Sequence, residues 1–159
     1  MLRKVAITDF DYIYQLYMNE EVNPYLLYEM MSKNEFQPIF NALLNEQVLY
    51  LYLNEGEVIG MCKLIRQKYR CDHVMYLGGL AIHPLHAGKG FGIKIIQEIV
   101  DLCSDMEILR IELSVAEHNT RAIKLYEKSG FEKEGILRNY AVLKKENKMF
   151  NEILMSYIF

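Results

Sequence analysis

Gly88, Gly90 and Gly92 alternate with Lys89 and Phe91, directly after an apolar run that ends at Pro84 and directly before an amphipathic stretch. Glycine at every second position lets successive backbone N–H groups point into one concavity, and it lets a bulky anion touch the main chain. A helix opening there adds unpaired N–H groups and the positive end of its dipole. Such a loop is built to hold phosphate. Spacing narrows the ligand. A Walker loop needs glycine at position 83, which is His83, and the dinucleotide pattern G-x-G-x-x-G breaks at Ile93. What stands is G-x-G-x-G between a strand and a helix. Two other readings remain, a glycine-rich turn with no ligand and a dinucleotide domain that NAD binding would reveal.

The second constellation is Asn119-Thr120-Arg121-Ala122-Ile123-Lys124-Leu125-Tyr126-Glu127-Lys128-Ser129-Gly130-Phe131. Asn119 or Thr120 can cap a helix, Gly130 can stop it, and Tyr126 follows Ala122 and Ile123 by about one turn.

The elements that carry these groups follow from hydrophobic periodicity. Leu2 to Ile7 reads as a strand, and Thr8 or Asp9 caps a helix running to about Met18. Glu20 to Ser32 is strongly apolar, with Pro24 starting a turn or a new helix. Lys33 to Leu44 is helical, with Pro38 in its first turn or kinking it. Val48–Leu53 and Val58–Arg66 form a hairpin around Asn54–Glu57, and His73–Ile82 adds a third strand. Gly90 to Cys103 is a helix with a core stripe of Ile93, Ile96, Ile99, Val100 and Cys103. A strand over Glu107–Val115, a helix over Asn119–Ser129 and a hairpin of Phe131–Leu143 with Met149–Phe159 complete the chain. The order β-α-α-β-β-β-α-β-α-β-β defines an α/β (α+β) fold. Strands 74–82 and 107–115, joined by one helix, should be parallel with a right-handed crossover. Open sheets of this kind bind ligands beyond the carboxyl ends of their strands, where the glycine loop and the Asn119 helix both begin. Gly78-Gly79 inside a strand marks a bulge or a loosely packed site.

Together the two motifs resemble those of the GCN5-related N-acetyltransferases. Gly90 and Gly92 match motif A of that family, Gln/Arg-x-x-Gly-x-Gly/Ala, with Ala87 where Gln or Arg is preferred. Asn119 to Phe131 matches motif B, N-x-x-A-x-x-x-Y-x-x-x-G-F. The likeness runs from about Tyr76 to Phe131 and more loosely to the C-terminus. There Gly135-Ile136-Leu137-Arg138 and Glu152-Ile153-Leu154-Met155 are similar to the branch that modifies peptide N-termini, amino acids and polyamines.

The resemblance implies one acetyltransferase domain over residues 1–159, with a GNAT-like mixed central β-sheet flanked by helices. It implies acetyl-CoA as cosubstrate and no metal. The amides of Ala87, Gly88, Lys89, Gly90, Phe91 and Gly92 would hold the diphosphate, and Leu80-Ala81-Ile82 would pair with the pantetheine arm. An N–H near Leu80 would face the acyl oxygen, and Asn119 would bond the cofactor. Tyr126 would protonate the departing sulfur, since tyrosine keeps its proton at neutral pH. The base is assigned to Glu112, which shares strand phase with Ser114, where relatives often carry glutamate. His73, Glu29, His118 and a water chain stay open for the same role. The implied reaction is direct transfer of acetyl to a primary amine in a ternary complex: a peptide N-terminus, polyamine, amino acid or small amine. No cysteine is placed to act as a nucleophile. The alternative is a coenzyme-A-binding sensor or interaction module of the same fold. Acceptor choice falls to Glu20–Ser32 and the final hairpin, with Tyr25, Tyr28 and Tyr140 able to line an amphipathic pocket.

Charged residues at 25% and hydrophobic ones at 52% make an ordinary globular balance. A net charge of −3 argues against nucleic acid as partner and suits a cationic amine. Cys62, Cys71 and Cys103, odd in number and without metal-like spacing, read as idle thiols of a reducing compartment. The start Met1-Leu2-Arg3-Lys4 reads as the entry to a strand, so no signal peptide is expected, and no apolar run approaches the length of a membrane span. The expectation is a cytoplasmic protein with no membrane partner; a homodimer is compatible with it.

Overall fold

A computed structural model describes residues 1–159, the side chain of Lys145 excepted. The elements are β1 (Leu2–Lys4), α1 (Phe10–Tyr17), α2 (Lys33–Asn45), β2 (Leu49–Asn54), β3 (Glu57–Arg66), β4 (Val74–Ile82), α3 (Phe91–Asp105), β5 (Arg110–Ala116), α4 (Thr120–Lys128), β6 (Glu132–Leu143) and β7 (Lys148–Ile158), in the expected order. The strands hydrogen-bond in the order β1-β2-β3-β4-β5-β7-β6. The β4–β5 pair is parallel, whereas β1–β2, β2–β3, β5–β7 and β6–β7 are antiparallel. Among the described residues no helix is long and apolar enough to cross a membrane. Two compact units divide the chain: Met1–Leu64 with Gly78–Phe91, and Ile65–Leu77 with Gly92–Phe159.

In the first unit, β2 and β3 join through Glu55-Gly56, both at left-handed φ (52° and 83°), a turn whose twist matches that of the strands. Helix α1 is not capped by Asp9 or Thr8. The Asp9 carboxylate instead accepts the Ala6 N–H and the Arg3 guanidinium, both at 2.7 Å, and closes the preceding 3-10 turn. Ser32 and Glu35 cap α2 reciprocally: the Ser32 N–H donates to Glu35 Oε2 at 2.8 Å, and the Glu35 N–H to Ser32 Oγ at 3.4 Å. Pro38 lies inside α2 and removes one helical donor.

Of the turn or new helix open for Glu20–Ser32, the structure has the turn, a 3-10 turn over Asn23–Tyr25. Buried Asn23 explains this. Its Nδ2 donates to the carbonyls of Tyr17 and Tyr28 at 2.8 and 2.9 Å, satisfying backbone that a helix would otherwise serve. Ile13, Leu16, Phe36, Phe40, Leu51 and Met61 fill the core beneath. Gly60 of β3 permits close approach of β4, since a Cβ placed there would stand 2.3 Å from the Ala81 carbonyl oxygen.

In the second unit the buried arc of α3 is Gly92, Ile95, Ile96, Ile99 and Cys103, while Ile93 is exposed. The expected stripe is therefore displaced. A Cβ at Gly92 would lie 2.8 Å from Leu125 Cδ2, so α4 crosses α3 at this glycine and sets which arc is covered. Strand β5 begins at Arg110, later than expected, because Glu107 turns the chain at a φ of 58°. Gly130 stops α4 at a φ of 91°, and the Phe131 N–H reaches back to the Tyr126 carbonyl at 3.0 Å, a Schellman closure. Strand β6 pairs only with β7, and its register breaks at Lys133/Gly135 and Leu137/Ala141. Cys103 is buried here and Cys71 is exposed; Cys62 is buried in the first unit, and none of the three is in a disulfide.

Candidate active site

Gly88 and Gly90 of the glycine loop lie in the first unit, after a 3-10 turn over Pro84–His86 and before α3. Gly88 and Gly90 take φ of 78° and 81°, a conformation that side chains rarely adopt. A Cβ at either would meet nothing within 4 Å. Open space over two left-handed glycines, at a helix start, fits a diphosphate cradled by main-chain N–H groups. His83 and His86 are props of this loop. His83 Nδ1 accepts the Leu85 N–H at 3.3 Å, and His86 faces Glu57 at 3.5 Å with its ring edge-on to Phe91.

On β4, Gly79 takes a φ of 56°, a left-handed backbone that glycine adopts without strain. The Tyr17 hydroxyl lies 3.6 Å from where a Cβ on Gly79 would be. That hydroxyl is buried with no hydrogen-bond partner among the described residues, and burial pushes its pKa far up, leaving a neutral donor beside Gly79. Nothing in the sequence singles out Tyr17, which reads as one more apolar position on α1.

The same unit holds an open concavity of about 970 Å³. Met18, Met30 and Met31 supply apolar wall, and Glu20, Glu21 and Glu35 supply carboxylates. Tyr14 lines it, whereas Tyr25 and Tyr28, expected as pocket aromatics, do not; Tyr28 lies beneath the Lys63 ammonium at 5.8 Å.

In the second unit, Asn119 Oδ1 accepts the Ala122 N–H at 3.2 Å and caps α4. Tyr126 is buried against Phe131, with ring centroids 5.8 Å apart. Glu112 accepts from Arg110 Nε at 3.0 Å, and the same guanidinium grips Glu134 in a fork, Nη1 to Oε1 at 2.7 Å. Glu112 is thus an ion-paired carboxylate. His118 packs edge-on against Phe150, with centroids 5.3 Å apart. Ser114, in place of the glutamate that relatives often carry, lies 3.2 Å from the Tyr76 hydroxyl. Beside it is a group the sequence did not single out, the buried Glu152 of β7, which only strand register brings to this face.

Arg110, and then Ser156, hold the Glu134 carboxyl down to about 2, against an ordinary 4.5. A depressed folded-state value adds stability that is present above the unfolded value and lost as pH falls through the folded one. The melting-temperature advantage of wild type over Glu134→Gln should therefore be full at neutral pH and shrink between about pH 5 and pH 2. A pH-independent difference would contradict this ion pair.

A family model described as the acetyltransferase (GNAT) family matches residues 10–131. The uncharacterized N-acetyltransferase p20 of Bacillus licheniformis is 29% identical over 150 residues, 87% of this chain and 82% of that protein. Spermidine N(1)-acetyltransferase of Vibrio cholerae is 29% identical over 141 residues, 86% of this chain and 80% of that protein. A crystal structure of spermidine N-acetyltransferase from Vibrio cholerae, in complex with CoA and spermine, matches at TM-score 0.86 and 24% identity, over 99% of this chain and 94% of that one. Fold and family match define the class, the acetyltransferases. The chain belongs to the GNAT family of acetyltransferases and is an acetyl-CoA-dependent N-acyltransferase.

Proposed function

We propose that the protein transfers acetyl from acetyl-CoA to a cationic primary amine by direct attack in a ternary complex. One observation carries this reading: left-handed Gly88 and Gly90 leave an open main-chain cradle immediately before α3. In this account amides from Ala87 to Gly92 hold the diphosphate, and Lys89 adds a charge beside it. The Leu80-Ala81-Ile82 edge pairs with pantetheine, an N–H near Leu80 polarises the acyl oxygen, and Asn119 orients the start of α4 toward the donor. Tyr126 gives its proton to the leaving sulfur. Glu20, Glu21 and Glu35 favour an acceptor that bears positive charge, and the likeness to a spermidine acetyltransferase supports the same class. Unbonded cysteines suit a reducing, cytoplasmic setting.

Calorimetry with coenzyme A, followed by thiol release from acetyl-CoA across a panel of diamines, amino acids and peptides, tests the reading. Gly90→Val should weaken coenzyme A at least about tenfold, because valine resists positive φ and its branches fill the cradle. No heat with coenzyme A, or a Gly90→Val protein that binds as wild type does, would refute it.

A further inference from the structure

Glu152 is 3% exposed, and its Oε2 has no hydrogen-bond partner among the described residues. A buried polar atom left unpaired costs free energy, so such atoms in native proteins call for an explanation. Strand register defines its surroundings. Ala116 lies opposite Glu152 and Ser114 opposite Leu154, so Ser114, Ala116 and Glu152 share one face of the sheet; Tyr76, paired with Glu112, shares it too. Ser114 neighbours Glu152 diagonally on that face, close enough to draw its pKa down, and the Ser114 hydroxyl stands 3.2 Å from the Tyr76 hydroxyl. Tyr76 is the last β4 residue paired with β5, and it precedes Leu80 by four positions on the same strand. A carboxyl and two hydroxyls therefore line up from β7 through β5 to β4.

We propose that Glu152, acting through the Ser114 and Tyr76 hydroxyls, accepts the proton that the acceptor ammonium must lose before it can attack. This rests on the acyl-transfer reading above. The ammonium yields one proton into the hydroxyl chain, whose far end delivers one to the Glu152 carboxylate. The freed lone pair forms the C–N bond, and the C–S bond breaks with its electron pair on sulfur. Tyr126 protonates that sulfur and recovers a proton from the nitrogen, while Glu152 returns its own to solvent. Ammonium and thioester become amide, thiol and one proton.

Glu112 is a poorer acceptor, since its carboxylate is held by Arg110. Burial raises the Glu152 pKa above the carboxylate range, and the Ser114 hydrogen bond draws it part of the way back. Among the described residues, the titratable and charged groups of this face include Tyr76 from β4, Arg110 and Glu112 from β5, and Glu132, Glu134 and Tyr140 from β6. Arg110 is committed to the two glutamates, and among the described residues no ion pair reaches Glu152.

Initial rates against pH, with acetyl-CoA and the fastest amine of the panel, test the relay in wild type, Glu152→Gln, Glu152→Asp and Ser114→Ala. The wild-type rate should fall on the acid side as Glu152 takes up its proton. Glu152→Gln should lose about a hundredfold in kcat together with that acid limb, Glu152→Asp should restore the limb, and the acetyl-CoA KM should hold steady. A second readout needs no donor: infrared spectra of the protein alone should show a carboxyl band that ionises above the ordinary carboxylate range. Glu152→Gln should abolish the band and Ser114→Ala should shift it. A Glu152→Gln enzyme that keeps the wild-type limb, or the lack of such a band, overturns the relay. Wild type that releases no thiol with any amine instead brings down the functional reading beneath it.

Discussion

Replacing Gly60 by alanine should lower the melting temperature by roughly 6–12 °C and weaken coenzyme A binding in the same protein. The new Cβ would stand 2.3 Å from the Ala81 carbonyl oxygen and 3.1 Å from the Ile82 Cα. Both are backbone atoms, so no rotamer change relieves the overlap. Either β3 or β4 must move, which by the usual scale of overpacking costs about 3 kcal/mol, or roughly 2–4 °C per kcal/mol in a chain of this size. The displaced segment is Leu80-Ala81-Ile82, the strand edge proposed to carry pantetheine, so affinity should fall with stability. Gly135→Ala is the matched control, because a Cβ there meets nothing within 4 Å. Thermal melts and calorimetry on the two variants decide it. A Gly60→Ala protein that melts with wild type would mean β4 is not held this close.

Tyr126→Phe should reduce kcat by about a hundredfold while leaving coenzyme A affinity within about twofold of wild type. The change removes one oxygen and keeps the ring that packs on Phe131. The Schellman closure that fixes this residue uses its backbone carbonyl, which the substitution does not touch. A thiolate leaving without a proton donor should also make the rate depend on leaving-group acidity, so thioesters of more acidic thiols should recover more activity in the variant. An unchanged kcat would remove Tyr126 from the chemistry.

The order of elements was legible because each helix shows a 3.6-residue stripe and each strand stands between turn residues. Local chemistry also placed Gly130, the Asn119 cap and the Glu55-Gly56 turn, since each depends on neighbours within a few positions. Errors arose where several groups compete for one side chain or where a distant partner decides. Asp9 reads as a cap until Arg3 and Ala6 claim its carboxylate. The α3 stripe shifts because α4 presses on Gly92, a contact that spans 33 positions of sequence. Glu152 faces Ser114 only through the β5–β7 register, which no local pattern encodes. The left-handed backbone at Gly88 and Gly90, by contrast, is a property of one short segment, and the alternating glycines already signal it.

The three thiols differ in reach. Cys62 and Cys103 are buried, and burial raises the Cys103 pKa to about 11, so almost none of it is thiolate at neutral pH. Cys71, exposed in the turn ahead of β4, is left as the natural handle for a maleimide dye or a spin label, with no engineered cysteine required. The same solitary sulfur can bridge two molecules on standing in air, so preparations stored without reductant would accumulate covalent pairs.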